Sequence, residues 1–94
     1  MDIPEIKLVP QPETPEAEDA LGYRYNEEAG KRHKLGGAPD FIQEFDWPVC
    51  CDGRMTFYAQ IDSIGDDFDL ADCGMIYVFV CFDCFETKSI LHGY

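Results

Sequence analysis

The chain reads as a small, mostly β domain: an antiparallel sheet with a zinc-ribbon-like cysteine cluster and little helix. Three observations carry that reading. Met55, Phe57, Ala59 and Ile61 alternate with Thr56, Tyr58, Gln60 and Asp62, the period-two pattern of a half-buried strand. Residues 75–80, Met-Ile-Tyr-Val-Phe-Val, are apolar at every position and rich in β-branched and aromatic side chains, which reads as a central strand covered on both faces. Two cysteine pairs, Cys50-Cys51 and Cys81-x-x-Cys84, sit beside these two strands. Helix signal is weak everywhere and no internal repeat is visible.

The elements follow in chain order. Pro4, Pro10, Pro12 and Pro15 fall within twelve residues, which bars this segment from a central strand or a helix interior. Residues 3–9 read as an extended edge piece. Thr14-Pro15-Glu16 is a helix start, with Thr14 as N-cap and Pro15 at the first helical position, launching a short turn through Leu21. Lys31-Arg32-His33-Lys34 is the only basic run. Such a run reads as a solvated face, and its functional use here would be to pair with the protein's own acids or a partner's. It is closed by Leu35-Gly36-Gly37-Ala38-Pro39. Residues 65–73 form a loop, and Ser89 to Leu91 a last short strand. The organisation expected is a proline-rich, partly extended N-terminal extension over 1–34 and a β-rich core domain over 35–94.

Length and charge bound the function. Ninety-four residues make one domain. Seven Lys+Arg against nineteen Asp+Glu give a net charge of −12, which excludes direct nucleic-acid binding and a basic patch for anionic lipid, because almost no cations are present to replace counterions. Hydrophobics at 46% and aromatics at 14% are too rich for a disordered chain. The longest apolar stretch, residues 75–82, is far short of the ~20 needed to span a bilayer, and no signal-peptide pattern opens the chain. The expected location is cytoplasmic. In that reducing setting the five cysteines read as metal ligands, core residues or redox groups before disulfides.

Cys50, Cys51, Cys81 and Cys84 are the candidate ligands of a structural zinc. Zinc takes four soft ligands at ~2.3 Å, and a C-x-x-C turn aims both its sulfurs at one ion. Cys50 and Cys51 are adjacent, and adjacent residues of an extended strand point to opposite faces. Both can ligate only if the chain turns there. Pro48 before and Asp52-Gly53 after supply turn chemistry. Two rival readings stand beside zinc. A redox C-x-x-C normally opens a helix, and nothing after Cys84 resembles one. Free, packed thiols are the other. Cys73 reads as a packed thiol, and His33 or His92 could complete an incomplete site or be satisfied histidines.

Lys34-Leu35-Gly36-Gly37-Ala38-Pro39, Trp47-Pro48-x-Cys50, Met55-Thr56-Phe57-x-Ala59-Gln60-Ile61-Asp62 and Asp72-x-Gly74-Met75-Ile76-Tyr77-Val78-Phe79 together resemble the YwqG-like bacterial family, whose function is largely unassigned. The likeness covers roughly residues 34–86. A more distant one is to the C-terminal region of programmed-cell-death-protein-2 proteins. The resemblance implies a β-rich fold and no established catalytic residues. Some members place cysteine pairs before the first of these strands and after the second, as this chain does, though here the first pair lacks a two-residue spacer and the chain is much shorter.

No Gly-rich phosphate loop, Ser/His/Asp arrangement or His-rich cluster is present, so the chain reads as a binder and not an enzyme. The acidic loop lacks the ligand spacing and terminal Glu of a calcium loop. Asp62, Asp66, Asp67, Asp69 and Asp72 are five acids without an intervening base, a local field that speeds association with a basic surface. The expected partner is a basic protein, a nuclease toxin being the class that fits, and the expected role is that of an immunity-type inhibitor covering its basic active site. Those five aspartates are the expected contacts, with Trp47 or Tyr58 as aromatic anchors. The alternative is a structural zinc-ribbon-like adaptor module in a protein assembly.

Overall fold

The computed structural model describes residues 2–23 and 30–94; residue 1 and residues 24–29 of the N-terminal extension lie outside the described residues. Its elements are β1 (Ile6–Lys7), α1 (Pro15–Ala20), β2 (Lys34–Leu35), β3 (Val49–Cys50), β4 (Gly53–Arg54), β5 (Thr56–Asp62), a 3-10 turn (Asp66–Phe68), β6 (Met75–Val80) and β7 (Thr87–His92). The helix starts as its sequence demands: Pro15 occupies the first turn and Thr14 Oγ1 accepts a hydrogen bond from the Ala17 N–H at 3.0 Å. No helix among the described residues is long and apolar enough to cross a membrane.

The fold is mostly β. A five-stranded sheet runs in the order β1-β2-β5-β6-β7, and every neighbouring pair is antiparallel. Residues 3–9 do lie at an edge, contributing β1. The last strand is longer than its sequence suggested, because all six residues from Thr87 to His92 pair with β6. The Gly36-Gly37 turn has a steric cause. Both residues have positive φ, 61° and 70°, and a Cβ on Gly36 would strike the Ile3 and Pro4 carbonyl oxygens.

β5 departs from simple alternation. Phe57 pairs with Phe79, but Ala59 pairs with Val78, so Tyr58 is an extra residue in the ladder. Such a bulge shifts the pleat by one. Phe57 stays on the covered face, and beyond the bulge Gln60 and Asp62 turn inward opposite Tyr77 and Met75. Ile61, expected inside, is 40% exposed, while Gln60 and Asp62, expected outside, are 0% and 1% exposed.

The covered face holds Phe57, Met75, Tyr77 and Phe79, with Met55 and Cys81 completing the buried cluster. Its lid is residues 38–48, which have no regular structure apart from bends. Phe45 and Trp47 pack on Phe79 with ring centroids at 6.1 and 5.3 Å, and Phe41 lies 5.4 Å from Tyr77. Polar groups hold the lid in place. The Tyr77 hydroxyl donates to Asp40 O at 2.7 Å and accepts from the Ile42 N–H at 3.2 Å. The Trp47 indole N–H donates to Met55 O at 2.7 Å. Gln60 accepts from the Asp40 N–H and donates to Arg32 O and the Asp40 carboxylate. Only one face of β6 is closed in this way. Ile76, Val78 and Val80 on the other face are half-buried, so the expectation of a strand covered on both sides is corrected.

Three of the four residues of the basic run turn inward, contrary to the solvated face expected of it; Lys31 alone stays exposed. His33 and Lys34 are 7% and 8% exposed. His33 Nδ1 accepts from the Asp62 N–H at 3.0 Å. Lys34 Nζ contacts Glu5 at 2.7 Å and Asp40 at 3.2 Å. Arg32 meets the Asp62 carboxylate with two side-chain nitrogens, Nη2 to Oδ1 at 2.7 Å and Nε to Oδ2 at 2.8 Å. The Arg32 and Gly30 backbone N–H groups also donate to Asp62 Oδ2. These are the protein's own acids, the other use read for the run.

Burial alone would push the Asp62 carboxyl up, but the Arg32 hydrogen bonds, its charge and the backbone donors outweigh burial and hold the group below the ordinary carboxylate range. A carboxyl lowered in the folded state adds stability above its unfolded value of about 3.9, and that stability is lost as pH falls through the folded value. Asp62→Asn should cost about 2–4 kcal/mol, somewhat under the figure for a fully buried pair because the Arg32 side chain keeps 24% exposure. It should also flatten the loss of stability below about pH 4. Urea titrations of both proteins from neutral to acid pH check this; a loss under about 0.5 kcal/mol would mean the pair is dispensable.

Candidate metal centre

β3 and β4 form a two-residue hairpin in which Cys50 pairs with Gly53, leaving Cys51 and Asp52 at the tip. Both tip residues have positive φ, 50° and 63°, the backbone of a type I′ turn. This conformation resolves the problem of adjacent cysteines. In an extended strand their side chains would diverge, whereas here the Cys50 and Cys51 sulfurs lie 3.7 Å apart. The left-handed conformation is unfavourable for a residue bearing a Cβ, so Cys51 occupies a tip position that asparagine or glycine would fill more readily.

The second pair is set by the turn after β6. Phe85 N–H donates to Cys81 O at 2.7 Å and Cys81 N–H to Glu86 O at 2.9 Å, with Phe85 at φ 62°. The turn wraps around the Cys81 sulfur and returns Cys84 to the same side. Cys50 Sγ and Cys84 Sγ are 3.4 Å apart. All four sulfurs lie within 4.8 Å of one another. A tetrahedral site with Zn–S bonds of ~2.3 Å has sulfur–sulfur edges of ~3.8 Å, so the cluster has the size to hold a metal ion.

Electrostatics agree with that geometry. Backbone N–H groups of Cys84 and Asp83 stabilise the Cys81 thiolate and lower the thiol to about 7. Hydrogen bonds with the Cys84, Cys51 and Cys81 sulfurs push Cys50 up, and Cys51 is raised as well, the Cys84 contact being the largest cause. Four thiols this close cannot all ionise unaided, and a dication supplies the opposing charge. Glu86 adds a carboxylate oxygen 3.6 Å from Cys50 Sγ.

The other candidate ligands are elsewhere. Cys73 lies beyond the opposite end of β6, its N–H bonded to Asp69 and its carbonyl accepting from Arg32. His33 is committed to Asp62, and His92 packs on Phe45 at 4.7 Å. Neither histidine belongs to the cysteine cluster; His33 is buried and His92 half-buried.

The expected docking residues are redistributed too. Asp62 is buried against Arg32 and cannot meet a partner, because the bulge at Tyr58 turns it inward. Trp47 is half-buried on Phe79, with the Arg54 guanidinium 4.1 Å over its ring, so its surface is occupied from within. Tyr58 is 43% exposed. Asp66, Asp67, Asp69 and Asp72 are exposed, but Asp69 also works locally. Its Oδ1 accepts from the Tyr23 hydroxyl at 2.7 Å and the Cys73 N–H at 2.9 Å, and these bonds lower its carboxyl. The sequence reading missed the roles of Arg32, Lys34 and Gln60. No signal in the sequence marks them, because the bulge that turns Asp62 and Gln60 inward comes from strand pairing.

No family model matches the chain, and no solved structure matches it. It is similar to an uncharacterized protein, YpfL, of Salmonella typhimurium, with 34% identity over 58 residues. That match covers 60% of this chain and 14% of the relative. The chain therefore spans about one seventh of the length of the curated relative that it matches.

Proposed function

We propose that the protein is a non-catalytic binding module whose sheet is stapled at one end by a structural zinc ion held by Cys50, Cys51, Cys81 and Cys84. The observation that carries this is the convergence of two turns, one before β5 and one after β6, on one four-sulfur cluster. Four protein ligands leave no open coordination position, the arrangement of structural rather than catalytic zinc. The resemblance to YwqG-like proteins with paired cysteines supports the same reading. A domain of this size is marginal on its hydrophobic core alone, and a metal cross-link between the chain before β5 and the chain after β6 supplies what the core lacks. The role that follows is that of an adaptor in a protein assembly.

A second reading, an immunity-type inhibitor of a basic nuclease toxin, draws its support from Asp66, Asp67, Asp69 and Asp72, which remain exposed at the end of the sheet opposite the cysteines. It loses Asp62, the one acid of the five that is internal. Asp66→Asn with Asp67→Asn slowing association with a basic nuclease at low salt is the result that would bring this reading forward.

Elemental analysis tests the zinc. Reduced protein purified without chelator should carry one equivalent, Cys84→Ser should lose it, and Cys73→Ser should keep it. Less than a tenth of an equivalent in the unaltered protein would end the metal reading. Chelation should also lower thermal stability. A loss of even ~2 kcal/mol lowers the midpoint of a domain this size by roughly 8–16 °C.

In the metal-free, reduced protein, thiolate absorbance should show one step with a midpoint near 7, from Cys81. Because that thiol is lowered, the thiolate is present above about pH 7 and lost below it. The step should vanish in Cys81→Ser. A first step above about 8.5, the value of a free thiol, would mean that the backbone N–H groups do not stabilise Cys81.

A further inference from the structure

Residues paired across an antiparallel sheet share a face, so the register sorts every paired side chain of the five-stranded sheet, Tyr58 at the bulge being left out. On the covered side lie Lys7, Lys34, Phe57, Gln60, Asp62, Met75, Tyr77, Phe79, Lys88, Ile90 and His92. The opposite side carries the other strand residues, apolar on every strand and otherwise Thr56, Thr87 and Ser89, and no charge occurs at any of its eleven paired positions. In a chain with 28% charged residues, about three charges would be expected among eleven positions. A one-layer sheet usually carries its charges on the face away from the core; here all of them fall on the lid side, Lys34 and Asp62 buried and Lys7 and Lys88 exposed at its margins. Ile61, Ile76 and Leu91 form a continuous row across β5, β6 and β7, and Ile61 and Leu91 are 40% and 47% exposed.

We infer that this face, on which Ile6, Ile61 and Leu91 are exposed while Thr56 and Ala59 are buried among their neighbours, is an interface, and that its occupant is a second copy of the chain, packed sheet on sheet. Three things favour a second copy. The strand positions of the face are uncharged, so a two-fold related copy meets it with no like charges in contact, although each chain carries −12. The acids sit instead in the turns at the strand ends, Asp66, Asp67, Asp69 and Asp72 at one end and Asp83 and Glu86 at the other. The area also fits. Three strands of six or seven residues and two of two residues, spaced ~4.8 Å and rising ~3.3 Å per residue, present roughly 350 Å² in projection. Two such faces bury on the order of 700–1,000 Å², the size of a reversible association and not of an obligate one. Finally, pairing gives the half-buried Ile76, Val78 and Val80 the second layer that a β-sandwich supplies.

Sedimentation equilibrium of zinc-loaded, reduced protein tests this over about 1–200 µM, with a midpoint expected in the micromolar range. The mass should rise from 10.7 kDa toward twice that value. Raising salt from about 0.05 to 0.5 M should tighten the association several-fold, because like charges at the rim are screened. Ile61→Lys with Leu91→Lys, at positions already exposed, should keep the fold by circular dichroism and weaken pairing at least about tenfold, even though it lowers the net negative charge. Phe68→Lys, exposed in the 3-10 turn and off this face, should pair as the unaltered protein does. A monomer at every concentration and salt overturns the inference, and one that still binds an apolar dye through this face assigns it to a different protein. Pairing that survives the double lysine variant, or that salt weakens, overturns it equally.

Discussion

The bulge at Tyr58 governs the division of labour in this sheet. One extra residue in β5 reverses the pleat from Ala59 onward. Gln60 and Asp62 then point under the lid, where Gln60 finds Asp40 and Arg32 and Asp62 finds Arg32, Gly30 and His33. Without the shift, a carboxylate and an amide would face solvent and Ile61 would take a place in the core. Arg32 and His33 would then lose Asp62, and the basic run would keep only the contacts of Lys34 with Glu5 and Asp40. The covered face is consequently built in two halves, an aromatic half around Phe79 and a charged half around Asp62. Burying the charged half is tolerable because every oxygen of Asp62 has a donor.

Much of this was legible in the sequence, and the exceptions have physical causes. Strand positions 55–62 and 75–80 were readable because alternation and β-branched runs are local signals. The cap at Thr14 was readable for the same reason. The exposure of Ile61 was not, since a bulge depends on pairing geometry and leaves no mark in a single strand's pattern. Residues 38–48 were opaque as a structural layer because they have no periodicity; their aromatic content, Phe41, Phe45 and Trp47, was the available clue. The inward turn of Arg32, His33 and Lys34 is not legible because the acids that hold them are distant in sequence, Glu5 on one side and Asp40 and Asp62 on the other.

The candidate site was legible in its residues but not in its mechanism of assembly. Spacing identified Cys50, Cys51, Cys81 and Cys84 and flagged the adjacent pair as an obstacle. The left-handed tip of the β3–β4 hairpin removes that obstacle, and backbone dihedrals of this kind are not written in a Cys-Cys-Asp-Gly string unambiguously. The acidic window illustrates the opposite case. Its composition was plain, yet the five aspartates have different fates: one neutralises an internal arginine, one ties Tyr23 to the loop, and the others remain on the surface.

The strand order also separates two kinds of closure. β5, β6 and β7 are consecutive neighbours, so they form as a meander through local connections, residues 63–74 and 81–86. β2 reaches β5 by pairing Lys34 with Gln60, and Arg32 must cross thirty positions to reach Asp62. Loop-closure entropy rises with such separations, and non-local pairings form slowly. Chain collapse should therefore begin in the meander, with β1 and β2 adding afterwards as a late-docking segment. In the native ensemble the same edge segment should be the first cooperative unit to open, with the Arg32–Asp62 latch setting how often the edge of the sheet is bared while its centre stays intact.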